Sequence, residues 1–163
     1  MLPLKTILHP TDFSEPASHA RKMAIELARD YGARLILLHV VEPPVYYGEL
    51  GASVNASDEV RQSEREKLAE LVEPKSIVHI EPITVDGMAA QEILRVARER
   101  HADLIVVGSH GRSGLGRVLM GSVAEEISRN APCPVLIVRT PQEVSHVAPT
   151  TTNPGVTIES NGS

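Results

Sequence analysis

The sequence predicts an α/β protein with an open, doubly wound, five-stranded parallel sheet and helices on both faces. Short apolar stretches alternate five times with amphipathic helical stretches along the 163 residues, and this alternation favours parallel strands joined by right-handed crossovers. Aromatic residues make up only 2% of the chain. The core must therefore consist of Val, Ile, Leu and Ala, as in a sheet covered on both faces.

The first strand and helix occupy the N-terminal 32 residues. Residues 6–8 form a short apolar strand that leads into His9 and the segment 10–12. Ser14 can cap the following helix, and Gly32 ends it in the position that favours a left-handed conformation. The apolar positions that recur at helical spacing are Ala17, Ala20, Ala24, Leu27, Ala28 and Tyr31.

The second strand is predicted over 35–41, a nearly unbroken apolar run typical of a central strand. Residues 42–57 form a long loop, and loops of this length in small domains are often functional or mobile. Its Tyr46 and Tyr47 could close over a ligand, contact a partner subunit, or have no role. A charged helix is expected over 58–73, with core positions at Val60, Leu68, Leu71 and Val72.

The third strand, expected over 77–85, contains Pro82, which cannot donate a hydrogen bond to a neighbouring strand. It should therefore lie at an edge of the sheet. Asp86 is expected to cap the third helix, whose apolar positions are Met88, Ile93, Leu94 and Ala97.

A buried strand at 104–107 is followed by a loop with five glycines. Ser122 and Glu125 then have the spacing of a capping box, which predicts a helix over 122–130. A last strand is expected over residues 135–138, after a segment in which two prolines flank Cys133. The five glycines are Gly108, Gly111, Gly114, Gly116 and Gly121.

The order strand, glycine loop, helix N-terminus favours binding of an anion such as phosphate. Glycines let backbone N–H groups approach the anion, and the first helical turn adds unpaired N–H groups and a partial positive charge. The loop does not fit the dinucleotide fingerprint, because Leu119 stands at the third glycine position. It does not fit the Walker loop either, because Arg117 and Val118 replace the lysine and the hydroxyl residue.

Charge and composition restrict the classes of function. The net charge of −5 and the pI near 5.8 disfavour nucleic-acid binding, which calls for a basic surface. No apolar run reaches the 18 residues of a membrane span. The N-terminus lacks a signal peptide's features and Cys133 has no partner cysteine, so we expect a cytoplasmic protein. Residues 1–139 are expected to form one domain, and 140–163, rich in Thr, Ser, Asn and Pro, a disordered tail.

Several segments resemble the universal stress protein family, in its ATP-binding branch. The most specific is the spacing Gly108, two residues, Gly111, nine residues, Gly121-Ser122. Further similar segments are 10–14, 37–41, 102–111, 121–123 and 132–138, so that the resemblance covers about the first 139 residues. It implies the strand order 3-2-1-4-5, with which an edge position for Pro82 is compatible.

The resemblance also implies a ligand and its contacts. Asp12 and Val40 would frame the adenine of ATP (or of ADP or AMP), with magnesium on the phosphates, and Pro10 and Thr11 would line the pocket. The loop and the helix start would hold the ribose and phosphates. The residues there are Gly108, Ser109, His110, Gly111, Arg112, Gly121, Ser122 and Val123. A homodimer is implied as well, through pairing of the last strands at 135–138.

Alternatives remain for several of these residues. Asp12 could merely help to cap the first helix, and Arg112 and Arg117 could be solvated charges rather than phosphate ligands. His9, His39 and His110 match no compact metal-ligand spacing, so no metal site on the protein is expected. The function expected is a nucleotide-responsive regulator of a stress response that acts on a protein partner not identifiable from the sequence. The alternative is a slow magnesium-dependent ATPase that uses the same pocket.

Overall fold

Five parallel strands form a single sheet in the order β3-β2-β1-β4-β5, in a computed structural model of the chain. The structure describes residues 4–43, 57–72, 76–109 and 120–140. The strands are β1 (Thr6–Pro10), β2 (Arg34–Val41), β3 (Ile80–Asp86), β4 (Leu104–Gly108) and β5 (Val135–Val138). The helices between them are α1 (Glu15–Tyr31), α2 (Asp58–Glu70), α3 (Ala89–Glu99) and α4 (Ser122–Asn130). The predicted fold class and strand order are confirmed.

The core has one layer on each side of the sheet. Because side chains alternate along a strand, Ile7 of β1 and Leu35 of β2 pack against the alanine face of α1. Leu8, one residue further on, packs on the opposite side against residues of α3 and α4 such as Ile93 and Ile127. The helix α2 contacts β2 and β3. Nη1 of Arg21 on α1 donates to the carbonyl of Leu71, just after α2, at 3.0 Å, so the two helices lie on the same side.

Local features of the sequence explain the two ends of α1 and the edge position of β3. The hydroxyl of Ser14 accepts a hydrogen bond from the N–H of Ala17 at 3.3 Å, and Gly32 ends the helix with φ +62°. Both predictions for α1 are confirmed. The strand β3 is an edge strand paired only with β2 among the described strands, as Pro82 predicted.

Four predictions about these elements are wrong. Ile77 is 83% exposed and lies outside β3, which begins at Ile80. Tyr31 is exposed at the end of α1 rather than part of its buried stripe, and α2 ends at Glu70 rather than at residue 73. Met88 is 55% exposed because it precedes α3 as its N-cap.

The expected cap of α3 is also wrong. Asp86 is the last residue of β3, and its carboxylate accepts a hydrogen bond from Nε of Arg61 on α2 at 2.9 Å. The N–H of Ala89 instead donates to Oε1 of Glu42, which follows β2, at 3.0 Å. The first turn of α3 is thus capped from a distant part of the chain.

Candidate functional site

A cavity of about 460 Å³ opens at the carboxyl ends of β1, β2 and β4. This is where ligands bind in doubly wound sheets, because the chain leaves β1 and β4 towards opposite faces and opens a crevice between them. The volume lies within the range of small-molecule sites. The predicted site residues that line the cavity are Pro10, Thr11, Asp12, Val40, Gly108, Gly121, Ser122 and Val123.

One described residue of the predicted site, Ser109, is buried and does not line the cavity. Its N–H donates to the carbonyl of Val138 at 2.8 Å, and its carbonyl accepts from the N–H of Gly121 at 2.7 Å. Ser109 thereby holds the start of α4 against the ends of β4 and β5. His110, Gly111 and Arg112 fall outside the described residues, as do Arg117, Tyr46, Tyr47 and residues 141–163.

Gly108 is required by packing against α1. A Cβ at this position would lie 2.9 Å from the carbonyl oxygen of Pro16 and 3.2 Å from the nitrogen of Ala17. Backbone atoms this close cannot be moved aside cheaply, so the end of β4 can approach the first turn of α1 only with glycine. The sequence interpretation assigned this glycine to the ribose and phosphates, and the structure adds a contact with α1.

The N-terminus of α4 forms one wall of the cavity, through Gly121, Ser122 and Val123. The N-cap is Gly121, with φ −71° and ψ 153°, and this residue has no side chain that could cap the helix. The predicted capping box is therefore wrong, because Ser122 is the first helical residue instead of the cap. A glycine cap leaves the first N–H groups of the helix without a side-chain acceptor, and these groups carry partial positive charge.

The other three helix N-termini in the described part of the chain each have a side-chain acceptor. Ser14 caps α1 and Ser57 caps α2, accepting from the N–H of Val60 at 3.3 Å. Glu42 performs this role for α3. The start of α4 thus differs from the others in being open on the side that faces the cavity.

Asp12 supports the start of α1 as well as lining the cavity. Its Oδ1 accepts hydrogen bonds from both the N–H and the hydroxyl of Ser14. This is the capping role considered as an alternative above. Since Asp12 also lines the cavity, the two roles are compatible in one side chain.

His39 and Glu64 meet at the β2 side of the cavity, which both residues line. Because a carbonyl can only accept, Nδ1 of His39 donates to the carbonyl of Thr11, at 2.8 Å. On the other side of the ring, Nε2 lies 3.3 Å from Oε2 of Glu64. The ring also contacts Phe13, with centroids 4.5 Å apart.

His9 lies beneath the cavity rather than in its wall. Its ring is fully buried, and Nδ1 donates to the carbonyl of Val106 at 2.8 Å. Burial lowers the pKa of His9 from 6.5 to about 4, so the ring is neutral at pH 7. No group of three or more potential metal ligands occurs among the described residues.

The sequence interpretation missed several cavity residues near the β2 end, among them Glu42, Val60 and Glu64. Val60 was expected in the core but is 46% exposed at the cavity. A signal for Glu64 exists in the sequence, since it shares one helix face with Val60 and Leu68 at spacings of four residues. An acidic residue in that otherwise apolar stripe indicates a carboxylate turned towards the sheet.

The fold and the cavity define a doubly wound α/β protein with a ligand crevice at its topological switch point. The family model of the "Universal stress protein family" matches residues 3–139. Universal stress protein MJ0531 of Methanocaldococcus jannaschii is 35% identical over 145 residues, which cover 85% of this chain and 84% of that protein. The chain belongs to the universal stress protein family.

Solved structures agree with the fold. A universal stress protein from Burkholderia pseudomallei is 32% identical with a TM-score of 0.63, covering 85% of this chain and 98% of that one. A second, from Archaeoglobus fulgidus, was solved in complex with dAMP. It is 23% identical with a TM-score of 0.61 and covers 84% of this chain and 98% of that one. No helix in the described ranges is long and apolar enough to cross a membrane.

Proposed function

We propose that the chain is an adenine-nucleotide-binding member of its family and acts as a nucleotide-responsive regulator in the cytoplasm. The observation that carries the proposal is the N-terminus of α4, which begins at a glycine N-cap without a side chain and lines a cavity of about 460 Å³. A phosphate at this point would accept hydrogen bonds from the first N–H groups of the helix and interact favourably with its dipole.

The arrangement around α4 supports a fixed phosphate site. The hydrogen bonds from Ser109 to Val138 and from Gly121 to Ser109 tie the start of α4 to the ends of β4 and β5. A donor group that is already held in place loses little freedom when a ligand binds, and this preorganisation favours affinity. His110, Gly111 and Arg112 of the glycine loop would complete the contacts to ribose and phosphates.

The opposite end of the cavity suits a base. Pro10, Thr11 and Val40 line it together with Asp12, and a planar base can pack against such apolar surface while its polar edge meets a few acceptors. A direct contact of Asp12 with phosphate would be repulsive. Asp12 therefore fits a place beside the base or ribose, and magnesium would be held by the phosphates.

Protection against thermal unfolding tests the proposal. Ligand present at about 100 times its dissociation constant stabilises the native state by about 2.7 kcal/mol, which corresponds to an increase in Tm on the order of 5–10 °C for a chain of this size. We expect such an increase with ATP in the presence of magnesium, and a smaller one when EDTA removes the metal. An unchanged Tm in millimolar ATP, ADP and AMP would refute nucleotide binding.

A further inference from the structure

The two ends of the cavity differ in chemistry. At the β4 end, Gly121 and Ser122 present the N-terminus of α4, which favours negative charge. At the β2 end, the side chains of Glu42 and Glu64 line the cavity, and these can accept hydrogen bonds but disfavour a phosphate. A nucleotide would therefore bind in one orientation, with its phosphate at α4 and its base at the β2 end.

One carboxylate oxygen of Glu64 lacks a hydrogen-bond donor in the described part of the chain. Its side chain is 16% exposed, and its Oε1 accepts a hydrogen bond from Nζ of Lys67 at 2.9 Å. Its Oε2 is fully buried and has no hydrogen-bond partner in the described ranges. Buried polar atoms are almost always hydrogen-bonded in native proteins, so this oxygen indicates a donor that the cavity receives from outside.

His39 does not supply that donor in its neutral form. Its Nδ1 proton is used in the hydrogen bond to the carbonyl of Thr11, so Nε2, 3.3 Å from Oε2 of Glu64, carries a lone pair. With a neutral ring, the contact between Nε2 and Oε2 is therefore a contact of two acceptors. An N–H group placed beside them would satisfy Oε2.

We propose that Glu64 determines base specificity by accepting a hydrogen bond from the exocyclic amino group of the bound nucleotide. This inference rests on the proposed function, because it assumes that a nucleotide occupies the cavity. The strands β2 and β4 are two strand spacings apart, about 10 Å. An extended nucleoside monophosphate spans that distance between its phosphate and its amino group, whereas the ribose hydroxyls lie nearer the phosphate.

Calorimetry with three ligands tests the role of Glu64 in the full-length protein. The ligands are AMP, purine riboside 5′-monophosphate, which lacks only the amino group, and 2′-deoxy-AMP. We expect the wild-type protein to bind AMP roughly 10- to 100-fold more tightly than purine riboside monophosphate, as a hydrogen bond to a charged acceptor implies. Glu64→Met should reduce this ratio to about threefold or less, because the acceptor is lost.

Two further variants distinguish the loss of the contact with the amino group from nonspecific effects of a substitution in α2. Glu64→Gln retains an acceptor oxygen without the charge, and it should give an intermediate ratio. Glu70→Gln changes an exposed residue of the same helix and should leave the ratio at its wild-type value.

The possible failures are distinguishable. If wild-type protein binds none of the three ligands, the proposed function fails and the inference fails with it. If wild-type and Glu64→Met proteins bind AMP with the same preference over purine riboside monophosphate, only the role of Glu64 is overturned. If Glu64→Met instead removes a preference for AMP over 2′-deoxy-AMP, Glu64 contacts the ribose and the inference about the base is wrong.

Discussion

The Nδ1 atom of His9 and the carbonyl oxygen of Val106 are 2.8 Å apart, and this hydrogen bond crosses between β1 and β4 beneath the cavity. The two strands are neighbours at the point where the chain reverses direction in the sheet. The bond uses one ring nitrogen, while the other, Nε2, is buried without a hydrogen-bond partner in the described part of the chain. A neutral imidazole is thus buried between β1 and β4.

The first prediction concerns acid stability. The pKa of His9 is lowered by burial from 6.5 to about 4, so the unfolded chain binds a proton more readily than the native one between these values. Stability should therefore be complete above pH 6.5, decrease as the pH falls, and level off near pH 4. The contribution of His9 is about 3 kcal/mol, at about 1.36 kcal/mol per pKa unit.

Urea denaturation at several pH values between 7 and 4 measures this effect. His9→Asn keeps a donor for Val106 but cannot be protonated, so the free energy of unfolding should depend less on pH in this range. His79→Asn, at an exposed histidine, is the control and should retain the wild-type dependence. Equal pH dependence in all three proteins would contradict the assignment to His9.

The second prediction concerns the close approach of β4 and α1. Gly108→Ala would place a Cβ 2.9 Å from the carbonyl oxygen of Pro16, and we expect a loss of about 1–3 kcal/mol in the free energy of unfolding, as in other overpacked sites. Denaturation in guanidinium chloride measures the loss.

A comparison with Gly32→Ala separates packing from backbone strain. No atom lies within 4 Å of a Cβ at Gly32, but its φ of +62° should cost about 1–2 kcal/mol in a residue with a side chain. If Gly108→Ala kept full stability and lost only nucleotide affinity, Gly108 would serve the ligand and not the packing.

The third prediction concerns the open N-terminus of α4. Gly121→Val should weaken nucleotide binding at least tenfold, because a branched side chain at the N-cap would occupy space beside the helix N–H groups. Its backbone, with φ −71° and ψ 153°, lies in a region that suits valine, so the fold should be retained. Isothermal titration with ATP and magnesium measures the affinity.

The Tm without nucleotide serves as the control for this variant. It should change little, since valine at an N-cap costs on the order of 1 kcal/mol. Undiminished affinity in Gly121→Val would remove the start of α4 from the binding site.

The fourth prediction concerns the proposed homodimer through β5 (Val135–Val138). This strand is an edge strand with one free side in the described sheet, and such edges readily pair with another chain. Leu136 is 37% exposed. Leu136→Lys would bring two charges into a symmetric contact, so we expect the wild type to be a dimer and the variant a monomer.

Light scattering coupled to size-exclusion chromatography determines the mass of each protein. Met23→Lys is a matched control, since Met23 is 39% exposed and lies on α1 rather than on β5. It should remain dimeric. A wild-type protein that is monomeric at tens of micromolar would exclude this interface in solution.

The ends of helices and strands were predictable where they depend on interactions between residues close together in the sequence. Ser14 and Gly32 mark the two ends of α1 through interactions within single helical turns. Pro82 indicated an edge strand because it lacks a backbone N–H. The predictions that were wrong depended on contacts with residues distant in the sequence. Asp86 stands where an N-cap of α3 is expected in the sequence, but its carboxylate binds Arg61 of α2. Glu42 instead accepts the hydrogen bond from the first turn of α3.

The amino-acid sequence by itself determined the class of fold and the approximate course of every strand. This is because alternating apolar patterns and glycine or serine boundaries act over short distances. Only the tertiary structure decided that Gly108 packs against Pro16, that α4 begins at an uncapped glycine, and that Glu64 lies beside His39. Those relationships join residues far apart in the chain, and only packing of the helices on the sheet brings them into contact.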